Sequence, residues 1–181
     1  MNEQKRRIPP LIEDAGQNGL IVGFFALWFF VLGSFPGLLS LLGFASGVFG
    51  MVWLVRQQLK RDRESITLTG RGVPAATLAS YGIVVSFFAA LPVSLIIYIA
   101  LKWVWPDFII SCLRDTAEMV SQIPDYKPLA DELRNLIEHG PIPAASDIMA
   151  TVMMTMLLGG LVIGIGGMVI VKIIDRQWKY Q

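Results

Sequence analysis

The chain has 181 residues, of which 54% are hydrophobic and only 16% are charged, and its formal net charge is +1. Because about a quarter of the residues of a soluble domain are charged, this composition argues against an ordinary soluble protein. The deficit lies in three uncharged runs, 15–55, 72–101 and 148–171. Each run can cross a hydrocarbon core about 30 Å thick, so we predict an integral membrane protein.

The first uncharged run is too long for one membrane span and fits two. Its break is the stretch 33–37, GSFPG, because glycine ends helices and proline suits a first helical turn. We therefore predict an antiparallel hairpin of spans at about 11–32 and 35–55. The basic start and the apolar segment also have the outline of a signal peptide, but no small-residue cleavage motif follows, so we expect an uncleaved span.

The second span is followed by a basic segment, 56–71, which we predict to be a cytoplasmic loop. Its cations can simply anchor the span, or they can bind anionic lipid head groups or an acidic partner. Nucleic acid is not an expected partner, because no aromatic residues alternate with the basic ones. The candidate lipid or partner contacts are Arg56, Lys60, Arg61, Arg63 and Arg71.

The third span is predicted at about 74–104. Pro74 can begin its helix, and Pro92 lies inside it, where proline usually produces a bend. Trp103 and Trp105 mark the far membrane interface, as aromatic rings commonly do.

An acidic segment follows, and we predict two amphipathic helices within about 107–140. Pro124 separates the two helices, and Gly140 with Pro141 ends the second one. Such helices can lie on the membrane surface, pack on each other or bind a partner. The acidity disfavours anionic lipid as the main partner of this insert.

The last span, at about 148–172, is rich in glycine. Small residues four apart let helices approach closely in lipid, either within one bundle or at a dimer face. Both interpretations stay open, with packing inside the bundle preferred. The candidate packing residues are Gly19, Gly23, Gly43, Gly47, Gly50, Gly160, Gly164 and Gly167.

Basic residues are distributed unevenly between the two sides of this arrangement. The N-terminus, the basic segment and the C-terminus contain 11 Lys and Arg, and segment 102–147 contains 4. The positive-inside rule predicts that both termini are cytoplasmic and that residues 105–147 are external. The fold class is thus predicted as all-α: one membrane domain, residues 1–181, with four spans and an external helical insert between spans three and four.

No catalytic or cofactor site is evident in the sequence. His139 is the single histidine and Cys112 the single cysteine, so neither a triad nor a multi-cysteine metal site is expected. The glycines at 159–167 lack the lysine of a phosphate-binding loop. The three uncharged runs offer no charged residue for a proton relay, while Tyr81 and Ser86 suffice for hydrogen bonds between helices. We expect no catalytic residue, metal or cofactor.

The order of these features resembles a bacterial family of four-pass inner-membrane proteins, domain of unknown function 4199. The resemblance rests on the glycine-bearing hairpin, the segments TLTGRGVPAATLASYGIVVSFFAAL and YIALKWVWPDFI, the acidic insert, and the glycine-rich last span ending in KIIDRQW. It implies a Gram-negative inner membrane and no established activity. Genes of that family often neighbour a family 2 glycosyltransferase, which implies an accessory role in envelope glycan assembly.

Two functions follow as expectations. The first is a non-enzymatic accessory or scaffold subunit that binds another membrane protein. The second is a homo-oligomeric channel, carrier or lipid-handling protein.

Overall fold

The structure, a computed structural model, describes residues 10–35 and 37–178, and the side chains of 10–35 and 37–174. The described chain is helical and contains no strand. Four of its helices are long and apolar enough to cross a membrane, so the predicted all-α bundle of four spans is confirmed. The chain is a multi-pass membrane protein.

The first two helices, α1 (Leu11–Gly33) and α2 (Leu38–Thr69), pack along each other as a hairpin. Gly37 precedes α2 with φ of 78°, a conformation that glycine adopts without steric cost. The two backbones approach closely, since a Cβ atom added to Gly43 would lie 2.6 Å from the Gly33 nitrogen. Pro36, which the sequence places in this turn, lies outside the described residues.

The prediction that residues 56–71 form a loop is wrong, because α2 continues through them as far as Thr69. Gly70 ends the helix with φ of 72°, and its N–H bonds the Ile66 carbonyl. The segment is polar but contains no proline or glycine before Gly70. Charge ends the part of a helix that can lie in hydrocarbon, whereas it does not end the helix itself.

The third long helix, α3 (Ala75–Ile99), contains Pro92 and continues into a π-helical turn, Ala100–Val104. The Trp105 N–H bonds the Ala100 carbonyl at 2.8 Å, which closes that wider turn. The insert contains α4 (Phe108–Ser121), a 3₁₀ turn (Pro124–Tyr126) and α5 (Lys127–His139). The last helix, α6, extends from Ala145 to Trp178.

The chain forms two compact units. One comprises the described residues up to Val93 and from Val152 onwards, and the other Ser94–Thr151. The first unit contains two apolar clusters, one around Tyr81 and Leu54 and one around Leu78 and Val171. In the second unit, α4 and α5 pack on each other as a hairpin, in which Ala117 and Ala130 are buried.

Candidate functional site

Charged and polar side chains from all four long helices meet inside the first unit. We call this group the polar clasp, and its members are Asp14, Asn18, Trp53, Arg61, Asp62, Tyr81 and Lys172. The group contains two ion pairs, which use consecutive residues of α2.

The first half of the clasp joins α1 to α2 and α3. Arg61 forms an ion pair of 3.1 Å with Asp14, and its guanidinium lies 5.5 Å from the centre of the Tyr81 ring. The Asn18 amide donates to the Tyr81 hydroxyl at 3.0 Å and to the Asp14 carboxylate at 3.1 Å. The Trp53 indole N–H donates to the Asn18 Oδ1 at 3.2 Å. Each of these polar groups thus has a partner on another helix.

The second half joins α2 to α6 through the backbone that precedes α3. The Asp62 carboxylate accepts hydrogen bonds from the Val73 N–H at 2.7 Å and from the Lys172 ammonium at 3.0 Å. The same ammonium donates to the Val73 carbonyl at 2.8 Å. Asp62 is only 1% exposed, so its charge depends on these donors for compensation.

The two ion pairs diverge because Arg61 and Asp62 are neighbours on a helix. Consecutive side chains of an α-helix are about 100° apart around its axis. Arg61 therefore reaches α1 and α3, while Asp62 reaches Val73 and α6. The two ion pairs therefore connect α2 to α1, α3 and α6. This arrangement can fix the positions of these helices relative to one another.

Gln58 makes a third polar contact between helices, one turn before Asp62 on α2. Its amide nitrogen donates to the carbonyls of Leu78 at 2.8 Å and Gly164 at 3.1 Å. Its Oε1 is buried without a hydrogen-bond donor among the described residues. That oxygen occupies the place where a Cβ atom at position 167 would lie, so Gly167 makes room for the amide.

The eight predicted packing glycines lie against helices of the same chain. Gly19 and Gly23 face α3 at Phe88 and Ala89. The glycines of α2 face α1: Gly43 lies against Gly33, Gly47 against Phe29, and Gly50 against Phe25. On α6, Gly160 and Gly164 face α3 at Ser86 and Ala79, and Gly167 faces Gln58. These contacts agree with the packing interpretation and not with a dimer face at these residues.

The five predicted basic contacts do not share one surface. Arg56, Lys60 and Arg63 lie on the exposed side of α2. Arg71 is exposed in the connection to α3. Arg61 is instead part of the clasp with its side chain only 11% exposed, so its prediction as a lipid or partner contact is wrong. The sequence grouped it with the others because all five were assigned to a loop.

The α4–α5 hairpin carries exposed apolar side chains around its turn. Met119, Ile123 and Tyr126 are about half exposed, at 55%, 48% and 54%, and Leu129 follows at 44%. The acidic residues Glu118, Asp125, Asp131 and Glu132 in this region are also exposed. The hairpin therefore presents apolar groups among negative charges.

Cys112 is half buried on α4. Its burial and the nearby Asp115 carboxylate both raise the pKa of its thiol above the ordinary value. His139 is exposed beside Glu138. Within the residues that the structure describes, no three His, Cys, Asp or Glu side chains converge to hold a metal ion.

No family model, curated protein or solved structure matches the chain. The resemblance to the domain of unknown function 4199 family therefore stays a prediction.

Sequence reasoning identified Tyr81 as a source of hydrogen bonds between helices but missed most of the clasp. Asn18 was a detectable signal, since it lies in an uncharged span on the side that carries Ala15 and Gly19. Asp62 and Lys172 gave no such signal. Both lie among other charges, and only the fold brings them together.

Proposed function

We propose that this chain is a non-enzymatic accessory or scaffold subunit of a bacterial inner membrane that binds another membrane protein. The supporting observation is the α4–α5 hairpin, whose apolar side chains at Met119, Ile123 and Tyr126 are exposed outside the four candidate spans. Apolar side chains that are exposed close together outside the membrane-spanning segments are typical of interaction sites. The surrounding acids disfavour an anionic lipid surface as the contact.

The polar clasp supports a structural role for the bundle. Proton relays and ion carriers place ionisable groups along a pathway. Here Asp14 pairs with Arg61, and Asp62 pairs with Lys172, so these charges are engaged in joining helices. Charges that join helices within the bundle suit a structural role for it.

The proposed orientation places both termini in the cytoplasm and residues 105–147 in the periplasm, on the strength of 11 against 4 basic residues. The family resemblance adds a proposed partner class, a family 2 glycosyltransferase of envelope glycan assembly.

Site-specific photo-crosslinking tests the accessory role. A photoreactive amino acid replaces Ile123 or Tyr126 in the full chain at native expression, and Asn135, an exposed polar position of α5, is the matched control. We expect one discrete heterologous protein adduct from the two apolar positions and none from Asn135. Ile123→Asp should abolish the adduct formed from position 126. If the apolar positions yield only lipid adducts or none, the proposal fails.

A second candidate is a homo-oligomeric channel, carrier or lipid-handling protein. One observation favours it: Gly159 and Gly166 of α6 have open space where a Cβ atom would lie, and Val162 between them is 69% exposed. Small residues seven apart on an outward surface suit contact with a second helix. Co-purification of two differently tagged copies, with Gly166→Leu as the disrupting variant, distinguishes this assembly from a single copy bound to a different protein.

A further inference from the structure

The outward side of α2 changes character along one narrow strip. Phe49, Val52, Arg56, Lys60 and Arg63 recur at spacings of three and four residues, so they share one side of the helix. All five are exposed, whereas Leu54, Gln58 and Asp62 on the opposite side are buried. We call the five exposed residues the outer strip of α2.

The strip is apolar first and cationic afterwards. Phe49 and Val52 are 65% and 50% exposed, and Arg56 follows one turn later. Because α2 is an uninterrupted helix from Leu38 to Thr69, its rise fixes the spacing along the strip. Arg56 lies about 6 Å beyond Val52 along the axis, and Lys60 lies about 6 Å beyond Arg56.

This order matches the order of groups in a phospholipid. The head-group layer adds about 5–7 Å to each side of the hydrocarbon core. An acyl chain can pack against Phe49 and Val52 while Arg56 and Lys60 bind the phosphate. Within the described residues Arg56 forms no ion pair, and Lys60 has only a loose one with Glu64, 3.9 Å long and 67% and 44% exposed. An exposed ion pair of this length competes only weakly with a bound phosphate.

We infer that the outer strip of α2 binds an anionic phospholipid, with its phosphate at Arg56 and Lys60 and an acyl chain along Phe49 and Val52. Arg63 lies at the outer end of the strip, about 10 Å beyond Arg56. Arg61 takes no part, because its side chain faces Asp14 in the clasp. The site is independent of the accessory role, since it uses a different helix from the hairpin.

The test uses the full chain purified in mild detergent and titrated with phosphatidylglycerol, with phosphatidylcholine of the same acyl chains, or with inorganic phosphate. Native mass spectrometry counts bound lipid, and thermal unfolding reports stabilisation. We expect preferential binding of phosphatidylglycerol and a raised Tm. Arg56→Gln with Lys60→Gln should weaken that binding about thirtyfold, because each cation near an anionic head group raises the affinity about fivefold.

The control Arg114→Gln with Lys127→Gln removes two exposed cations of the hairpin, so it changes net charge equally. This control should retain the preference for phosphatidylglycerol. The exchanged pair Arg56→Lys with Lys60→Arg keeps both positive charges and should also retain it, which shows whether the two positions tolerate substitution. Equal binding of phosphatidylcholine, an unchanged preference after removal of both cations, or an equal Tm rise with inorganic phosphate alone would each overturn the inference.

Discussion

At the scale of single residues, the clasp depends on two neighbours of opposite charge that face different helices. Removing a charge from water is costly, and a buried ion pair compensates for that cost only when its geometry is good. Asp62 meets this condition, because its carboxylate accepts from both Val73 and Lys172. The main effect of the Asp62–Lys172 pair is therefore to determine which helices pack together, and its net contribution to stability is small.

A double-mutant cycle on Asp62 and Lys172 tests this view. Lys172→Met leaves the buried carboxylate without its counter-ion and should cost about 3 kcal/mol of unfolding free energy. Asp62→Asn should cost only about 1 kcal/mol, because Lys172 is 30% exposed and can turn towards water. The double variant should recover most of the loss. Unfolding in mixed detergent micelles measures all three, and strictly additive losses would show that the two residues are not coupled.

At the scale of elements, the contact between α3 and α6 is a close approach of two backbones. A Cβ atom on Gly82 would lie 2.5 Å from the Gly164 Cα, and one on Gly164 would lie 2.7 Å from the Ala79 carbonyl oxygen. Backbone atoms cannot turn aside as a flexible side chain can. In lipid the hydrophobic effect does not drive helices together, so the van der Waals packing of closely approaching backbones contributes to their association.

Alanine substitution separates glycines packed against another helix of the chain from those with open space beside them. Gly82→Ala and Gly164→Ala should each destabilise the protein by about 1–3 kcal/mol, because the added methyl group overpacks the contact. Gly166→Ala is the matched control on α6, since nothing lies within 4 Å of its added Cβ. It should be neutral or stabilise by less than about 1 kcal/mol. Equal effects of all three changes on thermal unfolding would contradict this packing.

At the scale of the whole molecule, charge asymmetry predicts orientation. Most Lys and Arg flank one side of the predicted spans, and the insert is acidic. The N-terminal cations at 5–7 contribute to this count and lie outside the described residues. The orientation can be measured because Cys112 is the single cysteine of the chain and lies on α4, in the insert.

An impermeant maleimide should label Cys112 in spheroplasts without disruption of the inner membrane. Labelling should be slow at neutral pH and accelerate as pH rises, because burial and Asp115 raise the thiol pKa and so reduce the reactive thiolate. Asp115→Asn should accelerate it at neutral pH. A detergent-denatured sample is the control for access, and labelling that requires an opened inner membrane would reverse the predicted orientation.

The number of spans and the breaks between helices follow from the sequence by itself. A span needs about twenty consecutive apolar residues, and both Pro124 and the pair Gly140 and Pro141 act on the backbone beside them. These signals are local, so no knowledge of neighbouring helices is needed to interpret them. The loop predicted at 56–71 was wrong because it also rested on a local signal. Local charge shows where the lipid-facing part of a helix ends, but it does not show where the helix itself ends.

Only the tertiary structure decided which side of each helix is used and what it meets. Asp62 and Lys172 are 110 residues apart, and their contact depends on the rotation and neighbours of α2 and α6. The same rotation turns Arg61 inwards and leaves Arg56 and Lys60 outside on one basic segment. Helix rotation is set by packing along the whole length of the helix, which is why neighbouring cations of α2 have different surroundings.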